Sequence, residues 1–120
     1  MPKILIVDDA VFMRLSLKTM LARNGFDVIV EAKNGTSAIF KYKIYNPDIV
    51  TMDITMPDMD GIEALKKIKE YDDKAKVVMI TAVGQETMVK RAIISGARSF
   101  IVKPFKEDKL IEVLNKVLSV

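Results

Sequence analysis

At 120 residues, half apolar and 29% charged, the chain has the length and balance of one globular domain with a sizeable core, expected to span 1–120 as a single unit. The absence of cysteine removes disulfides and thiol chemistry, and the absence of histidine removes a Ser-His triad, a histidine-held zinc and any phosphohistidine carrier role. A net charge of +3 on scattered lysines gives no basic stripe for direct nucleic-acid binding, and with no apolar run of membrane-spanning length and no signal pattern the expected location is the cytoplasm, away from membranes.

Lys3 to Val7 is a short continuous apolar run ending in Asp8-Asp9, the pattern of a strand buried on both faces of a parallel sheet. A helix follows from about Val11 to Asn24, with Met13, Leu17, Met20 and Leu21 inward, stopped by Asn24-Gly25. Phe26 to Glu31 is the second strand, and Asn34-Gly35 leads into a helix from about Thr36 to Tyr45 that ends at Asn46-Pro47. The third strand, Asp48 to Met52, runs into Asp53, and Pro57 ends any further extension. Asp60 then caps a helix with Glu63 three residues on, and Ile62, Leu65 and Ile68 form its inner face. Lys76 to Thr81 is the fourth strand. Its helix runs from about Glu86 to Ser95, with Met88, Val89, Ala92 and Ile93 inward and Gly96 closing it. Ser99 to Val102 is the fifth strand, ending at Lys103-Pro104, and a last helix from about Glu107 to Leu118 buries Leu110, Val113, Leu114 and Val117.

Five strand–helix units in strict alternation define an α/β protein, a parallel sheet with helices on both faces. Right-handed crossovers bring every strand's carboxyl end to one edge, where such sheets bind ligands. That edge receives Asp8 and Asp9 from the first strand, Asp53 from the third, Thr81 from the fourth and Lys103-Pro104 from the fifth, while the second offers no obvious reactive group. Taken singly, each has a bland role: Asp9 as a helix cap, Thr81 as a turn residue, Lys103 as a solvated lysine, Pro104 as a loop breaker. Packing gives no reason for the whole set to share an edge. Clustered carboxylates repel unless a cation joins them, and oxygen ligands without imidazole or thiolate favour Mg²⁺, Ca²⁺ or Mn²⁺, with Mg²⁺ preferred at an open site with few protein ligands. A phosphoryl group at Asp53 would have its oxygens neutralised by the metal, by Lys103, and by the Thr81 hydroxyl with backbone N–H groups, Asp53 acting as nucleophile.

The set Asp8-Asp9, Asp53-Ile54-Thr55-Met56-Pro57, Gly61, Thr81-Ala82 and Lys103-Pro104, spread in order over the whole chain, resembles the receiver domain of two-component response regulators, in its stand-alone chemotaxis form. The resemblance implies a flavodoxin-like (βα)5 fold with strand order 2-1-3-4-5. It implies that Asp53 is phosphorylated by a histidine kinase. Mg²⁺ would be held by Asp9, Asp53 and the backbone carbonyl of Thr55, with Asp8 acting mainly through water. Lys103, on a cis bond to Pro104, would contact the phosphate, and Thr81 and Phe100 would be the switch residues. The fourth helix, fifth strand and fifth helix would then bind a partner, a flagellar motor switch protein or another protein target, with a phosphatase as a further partner and the chain itself monomeric.

Phe100 departs from the tyrosine of many relatives: it can change rotamer but offers no hydroxyl. The resemblance implies that Thr55 and Val83, two residues after Thr81, flank the phosphoryl pocket and tune self-dephosphorylation; apolar Val83 cannot orient water, so slow self-dephosphorylation is expected, in a protein that is not a turnover enzyme. Ile94, Ile111 and Leu118 lie off the inner faces of the last two helices, beside a basic rim of Lys90, Arg91, Lys106 and Lys109. Phe40 and Ile44 are assigned to local packing, and most methionines to core gaps, with Met56 and Met59 exposed near the site. Within the same class the chain could instead be a phosphorelay intermediate or the receiver part of a larger regulator. A haloacid-dehalogenase-like phosphatase requires a second Asp where Thr55 stands, and a flavodoxin-like nucleotide binder requires a small-residue phosphate loop where Asp8-Asp9-Ala10-Val11 stands; both are set aside.

Overall fold

In the computed structural model, which describes residues 2–120, the elements alternate throughout: β1 (Lys3–Val7), α1 (Val11–Arg23), β2 (Val28–Ala32), α2 (Gly35–Tyr45), β3 (Ile49–Asp53), α3 (Gly61–Tyr71), β4 (Val77–Ala82), α4 (Glu86–Ile94), β5 (Ser99–Lys103) and α5 (Glu107–Leu118). The five strands form one parallel sheet in the order β2-β1-β3-β4-β5, a flavodoxin-like arrangement. Because the continuous apolar strands present alternate residues to opposite faces, two cores form. Leu5, Val7, Val50, Met52, Val77 and Met79 pack under α2, α3 and α4, and Ile4, Ile6, Ile49, Val78, Ile80 and Ile101 pack under α1 and α5. No helix among the described residues is long and apolar enough to cross a membrane.

The sequence boundaries hold closely, with one instructive shift. β2 begins at Val28 rather than Phe26, because the Phe26 N–H is bound to Leu21 O (2.9 Å) and the Gly25 N–H to Ala22 O (3.3 Å). With Gly25 at φ +86°, that is a Schellman closure of α1, and it turns Phe26 into the α1/α5 core.

Four side-chain expectations are corrected. Ile93 is exposed, because Met88, Val89 and Ala92 already fill the face of the short α4. Ile111 and Leu118 are partly buried against the α1/α5 core instead of standing free, and Met56 and Met59 pack into the other core. Phe40 and Ile44 are exposed, on the side of α2 away from its buried Ala38 and Tyr42.

Candidate functional site at the carboxyl edge

Side-chain alternation decides what meets at this edge. Ile4 and Ile6 face α1 and α5, so Asp8 does too; by the same parity Asp53 follows Ile49, and Lys103 follows Ile101. The three converge: Lys103 Nζ lies 3.6 Å from Asp8 Oδ2 and 3.7 Å from Asp53 Oδ1, ion-pair contacts rather than hydrogen bonds. Lys103 precedes Pro104 through a cis peptide bond. Thr81 has the opposite parity and belongs to the α3/α4 side, next along β4 from Ile80, the register partner of Asp53.

Asp8 is buried, with 1% of its surface exposed, and held by its surroundings. Its N–H donates to Ala32 O (3.2 Å), its Oδ1 accepts from the Ala10 N–H (2.9 Å), and its carbonyl oxygen accepts from Arg14 Nη1 (2.6 Å). Its Oδ2 is buried with no hydrogen-bond partner. Asp9 is exposed and does not cap α1, whose N-cap position is Ala10. One carboxylate oxygen from each of Asp8, Asp9 and Asp53 lies within 4.8 Å of the others, a cluster that can hold a metal ion. An orphaned buried carboxylate oxygen in an all-oxygen set is what a hard divalent cation would satisfy.

Burial pushes the Asp53 carboxyl up to about 6; Lys103 opposes the rise, and Asp8 and Asp9 add to it. The loop beyond is pressed against the strand. The Gly61 N–H donates to Ile54 O (2.6 Å), and a Cβ at Gly61 would overlap the Asp53 carbonyl oxygen, so the position requires glycine. The side chain of Thr55 is exposed beside this loop.

Two groups at this edge carry no signal that sequence patterning reads. The first is Gln85. Its Oε1 accepts from the Thr81 hydroxyl (2.8 Å) and the Ala82 N–H (2.7 Å), and its Nε2 donates to Thr55 Oγ1 (3.0 Å). The obligatory Ala82 donor fixes which end of the amide is oxygen. Only the spacing of four from Thr81 could have flagged it. The second is Glu31 on β2, paired with Arg14 (3.1 Å) and Lys18 (3.0 Å), which lower its pKa against the opposing effect of burial. Beyond Gln85 a cavity of about 310 Å³ is lined by Thr81, Val83, Val89, Phe100 and Val102 among others, so both expected switch residues border one space. Phe100 is 42% exposed there and Ile94 86% exposed on α4 nearby, with Lys90 and Arg91 on the same helix at the surface.

The family model for the response regulator receiver domain matches residues 4–115, and the chain belongs to that family, the receivers of two-component signalling. It is similar to chemotaxis protein CheY of Bacillus subtilis (56% identical, covering 98% of each chain) and to that of Thermotoga maritima (53% identical, covering 96% of each). Among solved structures it resembles the CheX–CheY–BeF3–Mg²⁺ complex from Borrelia burgdorferi, with a TM-score of 0.91 and 46% identity over 96% of this chain and 87% of that one.

Proposed function

We propose that residues 1–120 form a single phospho-acceptor switch in which Asp53 takes a phosphoryl group from a histidine kinase. The observation that carries this reading is the buried Asp53 carboxylate at a strand end, with Lys103 3.7 Å away and the Asp8 and Asp9 oxygens within 4.8 Å. An Asp53 oxygen attacks the phosphorus of the kinase phosphohistidine. The P–N bond breaks, its electron pair returns to the imidazole nitrogen, which is reprotonated from solvent, and the new P–O bond makes an acyl phosphate. Lys103 neutralises one phosphoryl oxygen, and the Thr81 hydroxyl with the Ala82 N–H binds another. Asp8, Asp9, Asp53 and the Thr55 carbonyl would hold Mg²⁺, which supplies charge neutralisation for the remaining oxygen. A cation among these carboxylates would offset the burial that raises the Asp53 pKa to about 6 and so keep the nucleophile ionised.

Thr55 stands where a phosphatase of the Asp-nucleophile kind would carry its general acid, which supports storage of the phosphoryl group over turnover of substrate. Val83, exposed and apolar, offers no bond to an attacking water, which supports slow self-hydrolysis. The added charge of about −1.5 to −2 draws Thr81 towards Asp53 and empties space beside Phe100. The face of α4, β5 and α5, with Ile94 and Phe100 exposed within a basic rim, then docks a protein partner. The chemotaxis names of its relatives and the resemblance to stand-alone receivers point to a flagellar motor switch protein in the cytoplasm, with a phosphatase resetting a monomeric signal.

The test is mass spectrometry of the chain after incubation with Mg²⁺ and acetyl phosphate, sampled over time. One phosphoryl adduct that decays slowly, requires the metal and is absent from Asp53→Asn is expected. An adduct retained in Asp53→Asn, or steady hydrolysis of phosphate esters without any adduct, would sink the reading.

A further inference from the structure

Gln85 occupies the N-cap position of α4, yet its side chain makes no cap bond with that helix. It turns back over the carboxyl end of β4 instead. There its oxygen accepts from two donors at once, the Thr81 hydroxyl at 2.8 Å and the Ala82 N–H at 2.7 Å. A hydroxyl and a backbone N–H aimed at one oxygen, one residue beyond the register partner of Asp53, are a grip for an anionic oxygen. An amide oxygen has two lone pairs, and both are used here. The Thr81 hydroxyl has a single proton, so it cannot serve Gln85 and a phosphoryl oxygen together.

We propose that the Gln85 carboxamide is a built-in occupant of the phosphoryl-binding pocket, a positioning residue for Thr81 whose oxygen stands in for a phosphoryl oxygen until one arrives on Asp53. This rests on the phospho-acceptor reading of Asp53. Phosphorylation then exchanges one acceptor for another, and the charged phosphoryl oxygen wins because hydrogen bonds to an ionised acceptor are about twice as strong as neutral ones. The exchange reaches further than the pocket. Gln85 Nε2 also donates to Thr55 Oγ1 at 3.0 Å, so this one side chain, from the residue just before α4, joins the loop after β3 to the carboxyl end of β4. The Gln85 carbonyl in turn accepts from the Val89 N–H (3.0 Å), tying the same residue into the first turn of α4. Expelling the carboxamide releases the start of α4 from the Asp53 loop.

The test titrates the full-length chain with beryllofluoride in saturating Mg²⁺, following the Ala82 amide resonance by NMR, in wild type, Gln85→Met, Gln85→Ala and Gln85→Glu. Gln85→Met fills the same space but cannot accept as the amide does, and Gln85→Ala removes the side chain. Both should bind beryllofluoride roughly three- to tenfold more tightly, the ratio one net hydrogen bond is worth. Gln85→Glu keeps the acceptor and adds a negative charge, so it should bind more weakly than wild type. Because Gln85 also donates to Thr55, whose carbonyl would be a Mg²⁺ ligand, Mg²⁺ affinity is titrated separately for each form and the beryllofluoride affinities are compared at full Mg²⁺ occupancy; a merely structural role would not move the anion affinities in opposite directions. Equal or weaker binding by both Gln85→Met and Gln85→Ala would overturn the proposal. Failure of every form, wild type included, to bind beryllofluoride would instead overturn the phospho-acceptor reading beneath it.

Discussion

α3 and α4 leave neighbouring strands at the same edge and cover the same face of the sheet, but they are secured very differently. α3 is 11 residues long, is capped by Asp60 accepting from the Glu63 N–H (2.8 Å), and buries Ile62, Ala64, Leu65 and Ile68. The loop leading into it is tied twice more: Gly61 N–H to Ile54 O, and the Asp58 carboxylate to the N–H groups of Gly35 (3.0 Å) and Thr36 (2.9 Å) at the start of α2. α4 has 9 residues, buries only Ala92 fully, has no side-chain cap and leaves Ile93 and Ile94 in solvent. The segment before it is held to the rest of the edge through Gln85. On the proposed phospho-acceptor reading, the difference teaches how one edge can serve two needs: the Asp53 loop is fixed for chemistry, and the element that would report on it opens at low cost.

The largest effect expected from this contrast is in core truncation. Leu65→Ala should lower stability by about 2–5 kcal/mol, the range for a fully buried leucine, whereas Val89→Ala on the half-buried face of α4 should cost about 1 kcal/mol. Urea midpoints measure both. Equal losses would show that α4 is as firmly packed as α3 and would remove the contrast between them.

The next effect concerns the helix starts. Asp60→Ala should cost about 1 kcal/mol by stripping the cap from α3, and native-state hydrogen exchange should show the first turn of α3 fraying towards the rate seen at the uncapped start of α4. If α4 amides are already protected as strongly as those of wild-type α3, the comparison fails.

Most of α3 was legible in the sequence: Asp60 with Glu63 announces the start, and Ile62, Leu65 and Ile68 at helical spacing announce the face. Asp8, Asp9, Asp53, Thr81 and Lys103 were also legible, because strand ends in an alternating α/β chain share one edge whatever the details of packing. What stayed hidden depends on contacts between segments far apart in the chain. Phe26 reads as strand until the Schellman closure of α1 claims its N–H. Ile93 reads as buried until the shortness of α4 is known, and Phe40 reads as packed until the neighbour it lacks is seen. Gln85 carries no local signal beyond its spacing of four from Thr81, since its meaning lies in Thr81 and Ala82 on one side and Thr55, 30 residues earlier, on the other. Patterns of hydrophobicity report burial along an element, whereas a side chain that bridges two loops is visible only once both loops are placed.

The smallest expected effect isolates the extra tie on the α3 side. Asp58 is at the surface, but hydrogen bonds from the Thr36 backbone and hydroxyl lower its pKa from 3.8 to about 2 against opposing desolvation, with a smaller contribution from the Gly35 N–H. A pKa lowered in the folded state means the fold binds the carboxylate better than the acid, so the stabilisation is complete above about pH 4. It is lost as the pH falls from there through about 2. Asp58→Asn cannot titrate and places an amide donor against N–H groups already seeking acceptors. The difference in urea midpoint between wild type and Asp58→Asn should therefore be largest near neutrality and shrink across that acid window, while other carboxylates titrate alike in both. Hydrogen bonds dominate the shift rather than distant charges, so added salt should leave the difference nearly intact. A difference that stays flat from pH 5 to pH 2 would mean that Asp58 does not anchor the loop to α2, leaving Gly61 and Asp60 as what distinguishes the fixed start of α3 from the releasable start of α4.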